Sequence, residues 1–233
     1  MTKNYAHRGY CARYPENTML AFRKAVEAGC DGIELDVQLT ADSRIVIIHD
    51  EDLGRTTNGE GFVKDKTLVE LRELDAGHGQ RIPTIEEYFD FIQPLDLITN
   101  IELKNGIFPY RSMEHTLISM IRDRRLESRV ILSSFNHESM RLCKSLAPEI
   151  KCGFLYDCRL IAGGVYARQH GIECLHPNYL NLTVNSLSEM HNCNIVVNTW
   201  TVNSSDAMEH MLTLGVDGII TNDPALLHRV MTL

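Results

Sequence analysis

The chain has 233 residues, with 23 Lys and Arg against 31 Asp and Glu, a formal net charge of −8, 44% apolar and 23% charged residues. This is the balance of a globular chain able to bury a large core, and it excludes a disordered, collagen-like or coiled-coil protein. The acidic excess, with no block of Lys or Arg, argues against nucleic acid as a partner and against a polybasic membrane patch.

The opening Met1-Thr2-Lys3-Asn4-Tyr5-Ala6-His7-Arg8 has no apolar core of signal-peptide length. The longest aliphatic runs, such as Ile45-Val46-Ile47-Ile48, fall far short of the ~20 residues a membrane span needs. Seven cysteines stand at 11, 30, 143, 152, 158, 174 and 193 without a Cys-x-x-Cys pair. That spacing encodes neither a zinc site nor a disulfide framework; free thiols in a reducing compartment are expected, and with them a cytoplasmic protein.

In chain order, the pattern predicts a strand at 4–7, a helix at 18–28 and a strand at 32–36. A short polar turn at 39–44 then returns the chain along 45–48 as a hairpin, too short for a parallel crossover. A turn centred near Asp42 brings His49 back opposite Asp36, at the same end. Residues 50–83 form a small insertion with Gly-rich loops at 54–61 and 77–79. The next helix, 84–92, is the clearest: Ile85, Tyr88, Phe89 and Ile92 follow helical spacing, and Thr84 with Glu87 makes a capping box.

Strands at 97–103, 130–133, 152–155, 174–177, 195–200 and 218–221 then alternate with helices at 113–124, 137–147, 162–170, 183–191, 205–214 and 224–230. The strands that alternate with helices number eight, which a single closed (β/α)8 TIM barrel over 1–233 requires. Gly29-Cys30-Asp31-Gly32-Ile33 recurs as Gly215-Val216-Asp217-Gly218-Ile219, each entering a strand after a helix. A connection at the bottom of a barrel explains this repeat as scaffold.

A barrel keeps its chemistry at strand C-terminal ends. There the chain places His7-Arg8, Glu34 and Asp36, His49-Asp50, Glu102 and Lys104, Trp200, and Asn222-Asp223. Glu34-Leu35-Asp36 on a strand puts both carboxylates on one face, and Glu102-Leu103-Lys104 does the same with an acid and a base. Three inward carboxylates repel unless a cation neutralises them, and an all-oxygen set suits Mg²⁺ or Ca²⁺ better than zinc. The plainer alternative is a salt-bridge network in which Glu34 or Glu102 pairs Arg8 or Lys104. His7 and His49 at one mouth suit acid–base work, and Arg8 and Lys104 carry the charge to hold a phosphate. Neither a nucleophile elbow, a Gly-x-Gly-x-x-Gly run nor a P-loop occurs, which argues against a serine hydrolase, a dehydrogenase and an NTPase.

Ala6-His7-Arg8-Gly9, Pro15-Glu16-Asn17-Thr18, Glu34-Leu35-Asp36-Val37 and His49-Asp50 together resemble the glycerophosphodiester phosphodiesterases. So do Ile82-Pro83-Thr84, Asn100-Ile101-Glu102-Leu103-Lys104, Ser134-Phe135, Thr199-Trp200-Thr201-Val202-Asn203 and Gly218-Ile219-Ile220-Thr221-Asn222-Asp223-Pro224, in order along nearly the whole chain. The resemblance implies a (β/α)8 barrel with a small insertion after the second strand. It implies one divalent cation, Ca²⁺ or Mg²⁺, held by Glu34, Asp36 and Glu102, and His7 with His49 as the acid–base pair. It also implies Arg8 and Lys104 on the phosphate, Phe135 and Trp200 as an apolar wall, and Glu16 and Asn17 as support for the first loop.

The activity it implies is hydrolysis of a glycerophosphodiester, such as glycerophosphocholine or glycerophosphoethanolamine, to sn-glycerol 3-phosphate and an alcohol. Water or the neighbouring glycerol hydroxyl can serve as nucleophile. Two alternatives share the barrel: phospholipase-D-like cleavage of lysophospholipids, and a non-catalytic barrel that binds phosphate compounds. An exposed barrel helix offers a face for a homo-oligomer, but no motif marks one.

Overall fold

The computed structural model describes residues 1–232. β1 (Lys3–His7) leads into α1 (Met19–Glu27), whose start is fixed by Thr18 accepting the Ala21 N–H. β2 (Gly32–Leu39) folds back as β3 (Ile45–Ile47). Next come a single 3-10 turn (Val63–Asp65), α2 (Leu68–Arg72) and α3 (Ile85–Ile92). Strand and helix then alternate: β4 (Ile98–Leu103), α4 (Met113–Asp123), β5 (Val130–Ser134), α5 (His137–Leu146), β6 (Lys151–Tyr156) and α6 (Gly163–Gln169). β7 (Cys174–Pro177), α7 (Val184–Asn192), β8 (Val196–Thr199), α8 (Ser205–Leu214), β9 (Gly218–Thr221) and α9 (Pro224–Thr232) complete the chain.

Every strand except β3 pairs in parallel with two neighbours, and β1 closes the ring by pairing with both β2 and β9. The result is the expected eight-stranded (β/α)8 barrel, with β3 added antiparallel to the edge of β2. Alternation along β2 shows how the sequence drives it. Ile33, Leu35 and Val37 are fully buried in the apolar layer between strands and helices, while Glu34 and Asp36 between them take the opposite face. On α3 the apolar stripe Ile85, Tyr88, Phe89 and Ile92 is fully buried, worth about 1.5–3 kcal/mol per side chain. Both halves of the Thr84–Glu87 capping box are formed.

The recurring glycines have a packing reason as well as a loop reason. A Cβ at Gly32 would sit 2.6 Å from the Tyr5 ring, and one at Gly218 would sit 2.7 Å from it. Tyr5 thus fills the lower barrel only because both neighbours lack side chains.

One local expectation is corrected and another gains detail. The hairpin register sets Val37 opposite Ile47, and the Ile48 N–H donates to the Asp36 carbonyl at 3.0 Å. A turn symmetric about Asp42 pairs residues equally distant from it, so Ile48 faces Asp36 and His49 stands one residue further on. The insertion also contains a helix, α2, closed by a full Thr67–Glu70 capping box. Leu71, Val63, Leu53 and Ile82 form a small apolar cluster there with Val46 and Ile48. No helix among the described residues is long and apolar enough to cross a membrane.

Candidate active site

At the C-terminal mouth of the barrel lies a cleft with about 430 Å³ of empty space. Its wall includes His7 from the end of β1, Arg8 after it, Glu34, His49, Glu102, Phe135 and Trp200. Asp36 and Lys104 complete the expected set from behind the wall. Arg8 Nε lies 3.2 Å from Asp36 Oδ2, and Lys104 donates to Glu102 Oε1 at 3.0 Å. Arg8 adopts a left-handed backbone (φ 54°), a costly conformation for a side-chain-bearing residue that clusters at functional sites. Gly9 follows at φ 81°, and a Cβ on it would meet the Ala21 backbone at 2.7 Å, so the loop can press against α1 only with glycine there.

Glu34, Asp36 and Glu102 are buried, and each offers an oxygen within 4.8 Å of the others. Asp36 and Glu102 are direct partners in the β2–β4 register. Burial, with the Asp36 charge next, raises Glu34 well above the usual carboxylate range and pushes Glu102 up to about 7. Burial is the largest influence and alone would raise Asp36 as well, but the charges of Arg8, His49 and Lys104 and the Asn17 hydrogen bond together outweigh it and hold that carboxyl below its usual value. Asp36 Oδ1 has no hydrogen-bond partner. A buried, all-oxygen trio with an unused acceptor fits a hard divalent cation. The salt-bridge alternative is realised only in part: Lys104 pairs Glu102, while Glu34 accepts the Arg8 backbone N–H at 3.0 Å.

The two histidines are oriented by different means. His7 Nδ1 is 2.6 Å from Asn222 Oδ1, which puts the ring proton on Nδ1 and leaves the Nε2 lone pair 3.9 Å from Glu34 Oε2. Burial, then the Arg8 charge, lowers His7 to about 4, so its imidazole is neutral near pH 7. His49 donates through Nδ1 to Asp50 Oδ1, and its Nε2 accepts from Lys104 Nζ at 3.1 Å. Burial pulls Lys104 down, but Glu102 and Asp36 more than compensate and keep its ammonium above the ordinary lysine value. Trp200 and Phe135 stand edge to face at 5.7 Å, and the indole N–H donates to the His176 carbonyl at 2.7 Å.

Residues 7–226 match the Glycerophosphoryl diester phosphodiesterase family. The chain belongs to that family. A glycerophosphodiester phosphodiesterase of Caldanaerobacter subterraneus subsp. tengcongensis is 48% identical over 229 residues, covering 95% of this chain and 94% of that protein. One from Bacillus altitudinis is 42% identical over 234 residues, covering 96% of both. A solved structure of an Oleispira antarctica phosphodiesterase in complex with sn-glycerol-3-phosphate superposes with a TM-score of 0.88. It is 27% identical and covers 98% of this chain and 96% of that one. The protein is therefore an enzyme of the glycerophosphodiester phosphodiesterase class.

The cleft and its surroundings also contain residues that sequence reasoning left without a role. Asn100, Leu155, Thr201 and Ile220 line the cleft. Asn222 and Asp50 hold the histidines, while Asn17, expected as support for the first loop, donates to Asp36 Oδ2 at 2.8 Å. Asn222 and Asp50 each stand beside or just past a strand end already marked by a charged motif, which is the signal that finds them. His176, at the end of β7, is wholly buried outside the cleft wall, where burial lowers it to about 3.

Proposed function

We propose that this phosphodiesterase hydrolyses glycerophosphodiesters, such as glycerophosphocholine and glycerophosphoethanolamine, to sn-glycerol 3-phosphate and the free alcohol. The observation that carries the reading is His7, its Nδ1 held by Asn222, beside a buried acidic trio and in one cleft with His49. Glu34, Asp36 and Glu102 would hold one divalent cation, Ca²⁺ or Mg²⁺. Such a cation neutralises the charge that builds on the phosphoryl oxygens. Arg8 and Lys104 bind and orient the phosphate as a two-sided cationic clamp.

His7 Nε2 takes the proton from the attacking hydroxyl or water. His49 Nε2, once Lys104 has turned to the phosphate, takes up a proton from solvent and gives it to the departing alkoxide, while Asp50, which accepts from Nδ1, supplies the counter-charge for the protonated ring. Phe135 and Trp200 form an apolar wall beside the glycerol or the headgroup. The whole chain works as one catalytic domain, with 50–83 shaping the rim, and seven free thiols suit a cytoplasmic location.

The test is release of sn-glycerol 3-phosphate from glycerophosphocholine by metal-stripped protein, with and without added Ca²⁺ or Mg²⁺. Release restored by either ion is the expected result, and none with both ions from folded protein overturns the reading. A second reading, cleavage of lysophospholipids, is favoured by the exposed Phe135, Ile161 and Leu180 on three loops of the mouth. Faster turnover of a single-chain phospholipid than of its deacylated counterpart would select it.

A further inference from the structure

Arg55 lies in the insertion, outside the cleft wall, yet it joins the two loops that present His7–Arg8 and His49. On one side its Nη1 and Nη2 donate to both oxygens of Glu16, at 2.9 and 2.8 Å. On the other its Nε donates to Asp50 Oδ2, and Nη2 donates to Asp50 Oδ1 at 3.1 Å. Glu16 in turn accepts from Arg8 Nη1 at 2.9 Å, and Asp50 accepts from His49 Nδ1. Arg8, Glu16, Arg55, Asp50 and His49 are thus consecutive links, and Arg55 is the link that crosses from the insertion to the first barrel loop.

The chemistry of the link is specific. Only a guanidinium offers donors on two edges of one plane, so that each carboxylate can be gripped by a pair of N–H groups. An ammonium in the same place can neutralise charge but cannot fix the relative orientation of two carboxylates. Without the fork, Asp50 can rotate away from His49 and Glu16 away from Arg8. We propose that Arg55 is a positioning residue that locks the phosphate-binding Arg8 and the proton-donating His49 into one unit. This rests on the catalytic reading of the cleft given above.

The experiment uses the full chain with saturating cation. Arg55→Ala should lower kcat for glycerophosphocholine by about 10–100-fold, the usual effect of removing a group that orients a site residue, with KM little changed. Guanidinium added in solution should restore most of the loss, because the Arg55 side chain is half exposed and its place can be filled from solvent. Arg55→Lys should stay near the Ala variant. Arg44→Ala, which removes an equally exposed arginine bridging Glu86, should leave kcat at the wild-type value.

Imidazole nitrogen and proton NMR of the free protein gives a readout independent of substrate: the His49 Nδ1–H signal should lose its hydrogen-bonded shift in Arg55→Ala. Wild-type kcat with an unchanged His49 signal overturns the proposal. So does a loss of kcat that guanidinium does not restore and that comes with a lowered melting temperature, since that marks a merely structural role. If the wild-type protein releases no sn-glycerol 3-phosphate, the catalytic reading fails, and the His49 signal alone decides whether Arg55 positions the ring.

Discussion

Lys104 reaches across from the end of β4 and donates to His49 Nε2 at 3.1 Å, so the nitrogen that faces the cleft is already in use in the free protein. The same ammonium holds Glu102 Oε1 at 3.0 Å. In the proposed reaction a bound phosphate would offer Lys104 a stronger, charged acceptor, freeing His49 Nε2 to take up the proton it passes to the leaving oxygen. Lys104→Met keeps most of the length of the side chain and removes the charge. It should lower kcat/KM by about 10²–10³-fold, the scale seen when one donor to a developing oxyanion is lost. Steady-state kinetics on glycerophosphocholine would measure it, and a change confined to the metal requirement would contradict the assignment.

His7 and His49 contribute no oxygen to the acidic trio, so their loss should separate catalysis from cation binding. His7→Ala or His49→Ala should cost about 10²–10⁴-fold in turnover, as expected for a lost general acid or base. Calorimetric titration with Ca²⁺ or Mg²⁺ should give nearly the wild-type affinity in both variants. A collapse of that affinity would make the residue a ligand rather than a proton carrier.

Glu102 makes the cation-free protein sensitive to pH in a defined direction. Its folded value of about 7 lies above the ordinary 4.5, so the folded state binds a proton that the unfolded state has released. Stability from this group is therefore fully present below about 4.5 and is lost as pH rises through about 7. Glu102→Gln keeps the shape and cannot ionise. The wild-type melting temperature relative to Glu102→Gln should fall between mildly acidic and mildly alkaline buffer when both are free of metal. Added Ca²⁺ should stabilise the wild type more as the pH rises, because the ligands must be ionised to hold it. A difference independent of pH would mean that Glu102 is ionised throughout.

The barrel was legible because its signals are periodic and repeated. Ile33, Leu35 and Val37 alternate with Glu34 and Asp36, and the same grammar recurs strand after strand. The site was legible because strand ends gather at one mouth, so a charged residue there is placed by topology alone. What stayed hidden depends on long-range geometry. α2 is only five residues long, too short for Leu68 and Leu71 to stand out as a helical period, although its Thr67–Glu70 box could have marked it. Arg55 gives no local sign of its role, since Glu16 lies 39 positions away and only folding brings the two together. The one-residue error at His49 arose because a turn position fixes a register only through its symmetry.

Trp200 is the only tryptophan and stands in the cleft wall against Phe135, which makes it a built-in reporter. Its indole N–H is already satisfied by the His176 carbonyl, so its remaining contribution to a ligand is apolar contact. Titrating the protein with sn-glycerol 3-phosphate in the presence of cation should therefore change its tryptophan emission and saturate. Replacing Trp200 by Ala removes contact made equally in the ground and transition states. That change should raise KM for glycerophosphocholine while leaving kcat close to the wild-type value. A fall in kcat at constant KM would instead show that the indole acts by keeping water from the reacting phosphate, and emission blind to the product would place the glycerol on another wall of the cleft.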